Sequence, residues 1–442
     1  MPVIAHGQRC RGCFFSKSNE CNSASSLLGY GVAKCNINTG CTVIDARFPL
    51  FPERTSDNSI SSLQSLADAL SIPLADLEKA RQLSAIERYR SKEIPKAGGG
   101  ARQVYNPSHL IRLIQARINK RIFLDLIRWP GYLFGSLPNT SINGEVVHRD
   151  YIACAKTHCL SKSLLKVDIS NFFDNIHADH VYRIFNELLK FPEPVSEYLT
   201  DICCYEDFLV QGALTSSYLA TLCFWNCEGD VVKRLSRKGL KYTRLVDDIT
   251  VSSRRHDFSF DYAEHHIKMM LIDLDLTEND RKKQILRDGI EPLHVHGLRV
   301  NYQAPRLPAD EVRKIRAAVH NVVKLAATNN YRTSVHYRFL HDRCMGRVNK
   351  LARVGHNKHE VFKRQLLDVM PLPSRLDVKK AEGAIRFLES LDRGRIKERR
   401  YTRKFHLVKY RVSIVARTYE EEARVFESRL YNLRPYIGSY DW

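Results

Sequence analysis

Residues 242–252 read Tyr-Thr-Arg-Leu-Val-Asp-Asp-Ile-Thr-Val-Ser, so that two adjacent aspartates stand between two short segments rich in apolar and β-branched residues. Segments of this composition favour strands, and an acidic pair between them predicts a β-hairpin. Burying a carboxylate without a partner costs free energy, so Asp247 and Asp248 indicate either the polar chemistry of a turn or a bound metal ion. Both interpretations stay open on these residues alone.

A third aspartate also stands in apolar surroundings. The segment Leu164-Leu165-Lys166-Val167-Asp168-Ile169 predicts a buried strand that carries Asp168 near its end. Adjacent strand residues point in different directions, so Asp247 and Asp248 need not bind the same ion. Asp168 and Asp247 could instead bridge two Mg²⁺ ions roughly 3.5–4 Å apart, which is how paired metals hold the attacking and leaving oxygens of a phosphoryl transfer.

The pattern around these aspartates changes along the chain. Residues 160–302 alternate strand and helix patterns, and the mostly apolar stretch 212–236 predicts one long helix. Apolar spacing of three and four residues predicts helices over 60–90, and a basic amphipathic helix is predicted over 108–128. After Pro308 the pattern is helical and basic. A mixed middle region is therefore expected between two mainly helical regions.

The composition predicts a globular protein with a polyanionic partner. Hydrophobic residues make up 44% and charged residues 27% of the 442 residues, which excludes a largely disordered chain. No apolar run reaches the roughly 18 residues of a membrane span, and the first residues lack a secretory signal pattern, so we expect a cytoplasmic protein with reduced cysteines and no membrane partner. The net charge of +20 favours nucleic acid as the partner, although charge alone also fits another basic enzyme.

The N-terminal region is rich in cysteine. The candidate zinc ligands are Cys10, Cys13, Cys21 and Cys35, with Cys41 and His6 as alternatives. The first two have the spacing of a zinc knuckle, which favours a Zn²⁺ site. The later spacings fit no common zinc finger and five cysteines leave one over, so ordinary reduced thiols are the alternative.

Three segments together resemble the motifs of reverse transcriptases. Residues 166–173, Lys-Val-Asp-Ile-Ser-Asn-Phe-Phe, resemble motif A. Residues 211–217, Gln-Gly-Ala-Leu-Thr-Ser-Ser, resemble motif B, and residues 244–252 resemble motif C, the YxDD hairpin. The three occur in the family order, which makes the set far more specific than any one segment.

Further segments extend the resemblance over about residues 85–370. The basic loop 96–102, followed by Tyr105-Asn106-Pro107, resembles the fingers motif, and residues 293–301 resemble the strand that closes the palm. The compact chain is most similar to the bacterial retron and defence-associated reverse transcriptases, because Cys154-Ala155-Lys156-Thr157-His158 resembles the retron NAxxH element.

The sequence departs from the family patterns in four places. Cys154 replaces the Asn of NAxxH, and His296-Gly297-Leu298 stands where retrons carry VTG. These two departures favour a less classified antiphage reverse transcriptase over a typical retron. Leu245 replaces the Tyr of YxDD and Ser217 replaces the Pro of motif B, but none of the four is an expected metal ligand.

The resemblance implies an α+β fold, the right-hand polymerase fold, with fingers, an α/β palm whose antiparallel sheet carries the YxDD-like hairpin, and a helical thumb. The expected domains are an irregular Cys-rich N-terminal extension (1–58), fingers (59–160), palm (161–305), helical thumb (306–374) and a basic helical C-terminal extension (375–442).

The resemblance also implies a set of site residues. The catalytic residues would be Asp168, Asp247 and Asp248, which would bind two Mg²⁺ ions together with the backbone carbonyl of Ile169. The expected nucleotide-binding residues are Lys96 and Arg102 at the triphosphate, Phe173 as the gate against a 2′-hydroxyl, and Gln211 with Gly212 against the incoming nucleotide.

The implied activity is that of an RNA-directed DNA polymerase, a nucleotidyltransferase that copies a dedicated non-coding RNA in antiphage defence. Its expected partners are a structured RNA template, the RNA/DNA hybrid product and deoxynucleotides, while a toxin or effector protein and oligomer formation stay open. Tyr401, Tyr410 and Arg411 are expected to stack on unpaired bases of the RNA. The alternatives are a template-independent or RNA-synthesising polymerase on the same palm, or a catalytically silent RNA-binding module. The presence of Asp168 and Asp247 argues against the silent module.

Overall fold

The computed structural model describes residues 45–57, 60–95, 101–391 and 399–435. Several predicted site residues lie outside these ranges, namely Cys10, Cys13, Cys21, Cys35 and Lys96. The Zn²⁺ site and part of the triphosphate site therefore stay predictions. No helix in the described ranges is both long and apolar enough to cross a membrane.

The first part of the described chain forms short helices and two-stranded ribbons. Its helices are α1 (Leu63–Leu70), α2 (Leu74–Gln82), α3 (Ala85–Arg88), α4 (His109–Ile118) and α5 (Tyr151–Thr157). Its strands are β1 (Glu53–Arg54), β2 (Tyr89–Pro95), β3 (Ala101–Pro107), β4 (Ile127–Arg128), β5 (Leu133–Phe134), β6 (Thr140–Ile142) and β7 (Glu145–Val147). A reciprocal capping box between Ser62 and Ser65 fixes the start of α1.

The middle of the chain alternates strands and helices, as its sequence predicts. Its helices are α6 (Ala178–Arg183), α7 (Glu193–Cys203), α8 (Ser216–Leu222), α9 (Glu228–Arg237) and α10 (Asp261–Ile272). Its strands are β8 (Ser163–Asp168), β9 (Cys204–Tyr205), β10 (Phe208–Leu209), β11 (Lys241–Leu245), β12 (Asp248–Ser253), β13 (Gln284–Arg287), β14 (His294–Val295) and β15 (Leu298–Arg299).

Five of these strands form the central sheet, in the order β13-β8-β12-β11-β5. β11 and β5 run parallel, and the other neighbours run antiparallel. Alternation along β8 places Leu165 and Val167 in the main core and Leu164 in a second core on the opposite face. A strand buried on both faces needs apolar residues at successive positions, which is why this segment is a nearly continuous apolar run.

The long helix predicted over 212–236 is instead two helices, α8 and α9. Residues 223–227 form turns between them, in which Trp225 N donates to Leu222 O at 2.8 Å. The break sends Phe224 into the core, where its ring stacks on Phe172 with centroids 6.0 Å apart. It also lets α9 begin at the buried Glu228.

Two helical groups follow the sheet, and each has its own core. The first group is α11 (Ala309–Ala326), α12 (Val335–Arg353) and α13 (His359–Asp368), and the second is α14 (Arg375–Glu389), α15 (Arg399–Val415) and α16 (Glu420–Tyr431). The first packs around Tyr337 and Leu366, and the second packs around Ile385 and Phe426.

The second helical group corrects one prediction. Tyr401 is only 3% exposed, and its hydroxyl donates to Leu433 O at 2.7 Å. The prediction that Tyr401 stacks on RNA bases is therefore wrong, because its ring belongs to the core of α14–α16. Tyr410 is exposed and donates to Asp342 at 2.8 Å. Base stacking by Tyr410 and Arg411 stays a prediction.

Candidate active site

The acidic hairpin is a tight turn between β11 and β12. Leu245 pairs with Asp248, which leaves Val246 and Asp247 as its two-residue loop. Val246 has φ +60°, a conformation that strains a β-branched side chain by about 1–3 kcal/mol. Arg244 holds the loop by donating from Nη1 to Val246 O at 3.0 Å. The Arg244 side chain thus stabilises the turn that carries Asp247.

Arg244 is itself held by a buried carboxylate. Its Nε and Nη2 donate to the two carboxylate oxygens of Glu228 at 2.6 and 2.7 Å, and the two side chains are 0% and 2% exposed. Tyr242 also donates to Glu228 at 2.7 Å, and Thr221 O accepts from Arg244 at 2.7 Å. Burial lowers the pKa of Arg244, but the negative charge of Glu228 outweighs it and raises the pKa overall. Arg244 therefore stays protonated.

The sheet brings the three predicted carboxylates to one end. β12 pairs with β8 so that Asp248 lies opposite Asp168. Ile169 N donates to Asp247 O at 3.2 Å, which joins the end of β8 to the hairpin turn. Burial raises the pKa of Asp247, and the charge of Asp248 raises it further. Burial also raises the pKa of Asp248, with Asp168 adding to the shift, so this end of the sheet favours a cation.

Two residues that the sequence reasoning missed contact Asp168. Lys282 Nζ lies 3.0 and 3.1 Å from its carboxylate oxygens, and this hydrogen bond raises the pKa of Lys282. Asn279 donates to the carboxylate from Nδ2 at 3.2 Å and to Asp168 O from its backbone N at 2.7 Å. The available signal was the basic pair Lys282-Lys283 directly before β13, the strand beside β8.

The donor set fits a hard divalent cation. Within the described part of the chain, no three His, Cys, Asp or Glu side chains are close enough together to hold a metal ion. The positive charge that lies beside Asp168 is the Lys282 ammonium, and the Lys282 side chain is 63% exposed. Carboxylate and carbonyl oxygens are the ligands that Mg²⁺ prefers, and Asp168, Asp247 and Asp248 lie at this same end of the sheet. A cation that displaced Lys282 would relieve their mutual repulsion.

The loop Gln211-Gly212 meets the β2–β3 hairpin. Tyr105 N donates to Gln211 O at 2.8 Å, so the strand that carries Arg102 packs against this loop. Gly212 has φ +107°, and a Cβ added there would lie 2.6 Å from Tyr105 O. Gly212 is exposed, but this position requires a glycine because β3 approaches it closely and because its φ is positive.

We expect Gly212→Ala to lower the free energy of unfolding by about 3 kcal/mol, because it combines a strained φ with a backbone clash. Gly289→Ala is the matched control, since Gly289 has φ +90° and nothing within 4 Å of an added Cβ. The control is expected to lose about 1 kcal/mol. Urea unfolding followed by circular dichroism measures both, and equal losses would show that the contact with Tyr105 is unimportant.

The two adjacent phenylalanines of the motif A segment have different surroundings. Phe172 is buried and stacks on Phe224 with an interplanar angle of 7°. Phe173 is half-buried and begins a 3₁₀ turn, Phe173–Asn175. The core role therefore falls to Phe172, which leaves the ring of Phe173 as the candidate for contact with a nucleotide.

Comparison with known proteins identifies the family. Residues 94–302 match the family described as "Reverse transcriptase (RNA-dependent DNA polymerase)". The Retron Ec48 reverse transcriptase of Escherichia coli is 51% identical over 389 residues, which cover 87% of this chain and 95% of that protein. The chain belongs to the retron reverse transcriptases. The Retron Se72 reverse transcriptase of Salmonella heidelberg (strain 579083-10) is 31% identical over 387 residues, covering 82% of this chain and 97% of that protein.

Membership confirms the predicted fold and activity. This reverse transcriptase has the α+β right-hand polymerase fold and is an RNA-directed DNA polymerase, in a family that uses divalent metal ions such as Mg²⁺. The preference for a less classified group over a typical retron is corrected, because the substitutions at Cys154 and His296 occur in a chain with such high identity to a retron enzyme.

Solved telomerase structures are also similar to this reverse transcriptase. Telomerase from Candida albicans gives a TM-score of 0.36 at 11% identity, covering 80% of this chain and 67% of that chain. Apo telomerase from Candida tropicalis gives 0.37 at 10% identity, covering 79% of this chain and 65% of that chain.

Proposed function

We propose that this enzyme copies a dedicated structured non-coding RNA into DNA in the cytoplasm, as part of antiphage defence, and that Asp168, Asp247 and Asp248 form its catalytic centre. The observation that carries the site assignment is the pairing of Asp168 with Asp248 beside the turn that presents Asp247. The similarity to two retron reverse transcriptases supports a template of the retron kind.

The proposed chemistry is attack of a primer 3′-hydroxyl on the α-phosphorus of a deoxynucleotide. A new O–P bond forms, the bond to the leaving pyrophosphate breaks, and the hydroxyl proton passes to solvent. Two divalent cations, when bound, would supply charge neutralisation and lower the pKa of the attacking hydroxyl. Asp168, Asp247 and the Ile169 carbonyl would hold them, with Asp248 as an accessory ligand.

The remaining groups position the substrates. Arg102, with Lys96, neutralises the triphosphate, and Gln211 and Gly212 lie against the nucleotide. Arg102 is exposed on β3, whose backbone contacts the Gln211 carbonyl, and this contact supports the grouping. Lys282 is the counter-ion of Asp168 while no other cation is present.

The first group of C-terminal helices is suited to template–primer phosphates. α11 buries Ile315, Val319 and Val322 along one face. The opposite face exposes four basic side chains, Arg313, Lys314, Arg316 and Lys324. Contacts of this kind give affinity that falls with added salt and little sequence specificity. We assign these helices to the thumb and the central sheet to the palm.

We expect Phe173→Ala to admit ribonucleotides at least tenfold more readily, as the ratio of kcat/KM for ribo- and deoxynucleotide, because a smaller side chain opens space for a 2′-hydroxyl. Single-nucleotide extension on an RNA template measures the ratio. Phe172→Leu is the control, since it perturbs the packing on Phe224 and should leave the ratio unchanged. An unaltered ratio in Phe173→Ala would place the gate elsewhere.

The template itself is tested by sequencing. We expect one RNA species, rather than a mixture of cellular RNAs, to copurify with the enzyme. Incorporation assays with and without that RNA separate this proposal from template-independent synthesis. Parallel assays with ribonucleotides separate it from an RNA-synthesising polymerase.

A further inference from the structure

A chain of polar side chains lies behind the catalytic hairpin. His158 is fully buried, and its two ring nitrogens lie 2.7 Å from Thr243 Oγ1 on β11 and 2.7 Å from Ser252 Oγ on β12. Burial lowers the pKa of His158 to about 3, so its ring is neutral and carries one N–H. One of its two hydroxyl partners must therefore donate and the other accept.

The chain continues from Thr243 to the hairpin's second aspartate. Cys154 on α5 is fully buried, and its Sγ lies 3.2 Å from Thr243 Oγ1 and 3.3 Å from His296 Nε2. His296 Nδ1 lies 3.7 Å from Asp248 Oδ2. This last contact is longer than a hydrogen bond, so it orients the imidazole through the charge of the carboxylate.

The carboxylate sets the direction of every donor in the chain. An ionised carboxylate only accepts, so it favours the proton of His296 on Nδ1 and leaves Nε2 as an acceptor. Burial raises the pKa of the Cys154 thiol to about 12, and the protonated thiol can donate to Nε2. Its sulfur then accepts from Thr243, whose oxygen accepts from His158 Nε2–H. His158 Nδ1 finally accepts from Ser252, so that all the groups are satisfied at once.

We propose that this chain fixes the tautomer of His296, and that Cys154 and His296 are positioning residues that hold the Asp248 carboxylate for catalysis. The proposal rests on the catalytic role proposed above for Asp248. His296 presents its neutral Nδ1–H towards the Asp248 carboxylate at 3.7 Å, and Cys154 acts through His296.

The sequence supports the pairing independently. His296-Gly297-Leu298 stands where retrons carry VTG, so His296 lies within one of the departures from the retron pattern. Cys154 replaces the Asn of NAxxH. The residues at these two departures from the retron pattern contact each other directly.

A metal site built from the same groups is not supported. Within the described ranges, no three His, Cys, Asp or Glu side chains lie close enough together to hold a metal ion. The positioning role is also distinct from simple packing, because it requires a donor at residue 154 and not only a side chain of that size.

The tautomer is measured first, on the full chain labelled with ¹⁵N-histidine. We expect His296, assigned by the signal lost in His296→Asn, to show the ¹⁵N shifts of a neutral ring protonated on Nδ1. Cys154→Ala should shift the Nε2 signal, and Cys154→Ser, whose hydroxyl can donate and accept, should retain it. A His296 ring protonated on Nε2, or one unaffected by Cys154→Ala, would overturn the proposal.

Activity is measured second, with the same variants. We expect Cys154→Ala to lower kcat for deoxynucleotide incorporation about tenfold, the effect of one lost hydrogen bond, with unchanged KM. Cys154→Ser should stay within threefold of the wild type. Equal kcat in both variants would contradict the positioning role. A wild-type enzyme without incorporation would instead contradict the proposed function. The tautomer measurement would still decide whether the series of hydrogen bonds from His158 to His296 exists.

Discussion

Asp247→Asn is expected to abolish deoxynucleotide incorporation while RNA binding stays close to that of the wild type. The carboxylate lies in the hairpin loop, where burial and Asp248 both raise its pKa. Removing its charge weakens cation binding without changing its size. A metal contribution of several kcal/mol corresponds to a loss of about a thousandfold or more in kcat.

The measurement is extension of a primed RNA template at equal protein and Mg²⁺ concentrations, with filter binding of the same RNA. Asp280→Asn is the matched control, because it makes the same charge change on a side chain that is 81% exposed and lies 3.7 Å from Lys283. It should stay within twofold of the wild type. Comparable extension by Asp247→Asn would remove this residue from the catalytic centre.

Glu228→Ala is expected to lower the free energy of unfolding by about 3–5 kcal/mol, because it leaves the Arg244 guanidinium buried without its counter-charge. The same change should reduce incorporation, since Arg244 also holds the Val246 carbonyl of the hairpin loop. Urea unfolding and primer extension on one preparation measure the two effects.

The control for Glu228 is a surface ion pair. Glu187→Ala removes the partner of Arg183, and both of these side chains are 43% exposed. Exposed pairs contribute about 0–1 kcal/mol, so this variant should unfold almost as the wild type does. If Glu228→Ala were no less stable than Glu187→Ala, the buried pair would not be what supports the hairpin.

The sequence predicted the hairpin and the strand of Asp168 because both are short runs with strong strand preference. It could not predict the pairing that places Asp168 opposite Asp248, since a strand register depends on the whole sheet. The residues alone suggested that Asp168 and Asp247 act together, and the family resemblance added Asp248. The basic pair Lys282-Lys283 was a local signal for a contact near β13, but the placement of Lys282 and Asn279 against Asp168 depends on how the whole loop folds.

The C-terminal prediction about Tyr401 failed for a reason visible in the sequence. Tyr401, Phe405, Val408 and Val412 recur at three- and four-residue spacing, which is the apolar stripe of a buried helix face. The basic residues around Tyr401 suggested an RNA-binding surface, and the apolar spacing was not considered. The division of 212–236 into two helices had no comparable signal, because it follows from the packing of Phe224.

The most direct test of the account is to sequence the nucleic acids that copurify with the wild-type enzyme and with Asp247→Asn, expressed with the natural flanking sequence of the gene. We predict that the wild type carries one structured RNA together with DNA complementary to part of it. The variant should carry the same RNA without DNA. Complementary DNA on Asp247→Asn would contradict the catalytic centre, and an unselected mixture of RNAs on the wild type would contradict a dedicated template.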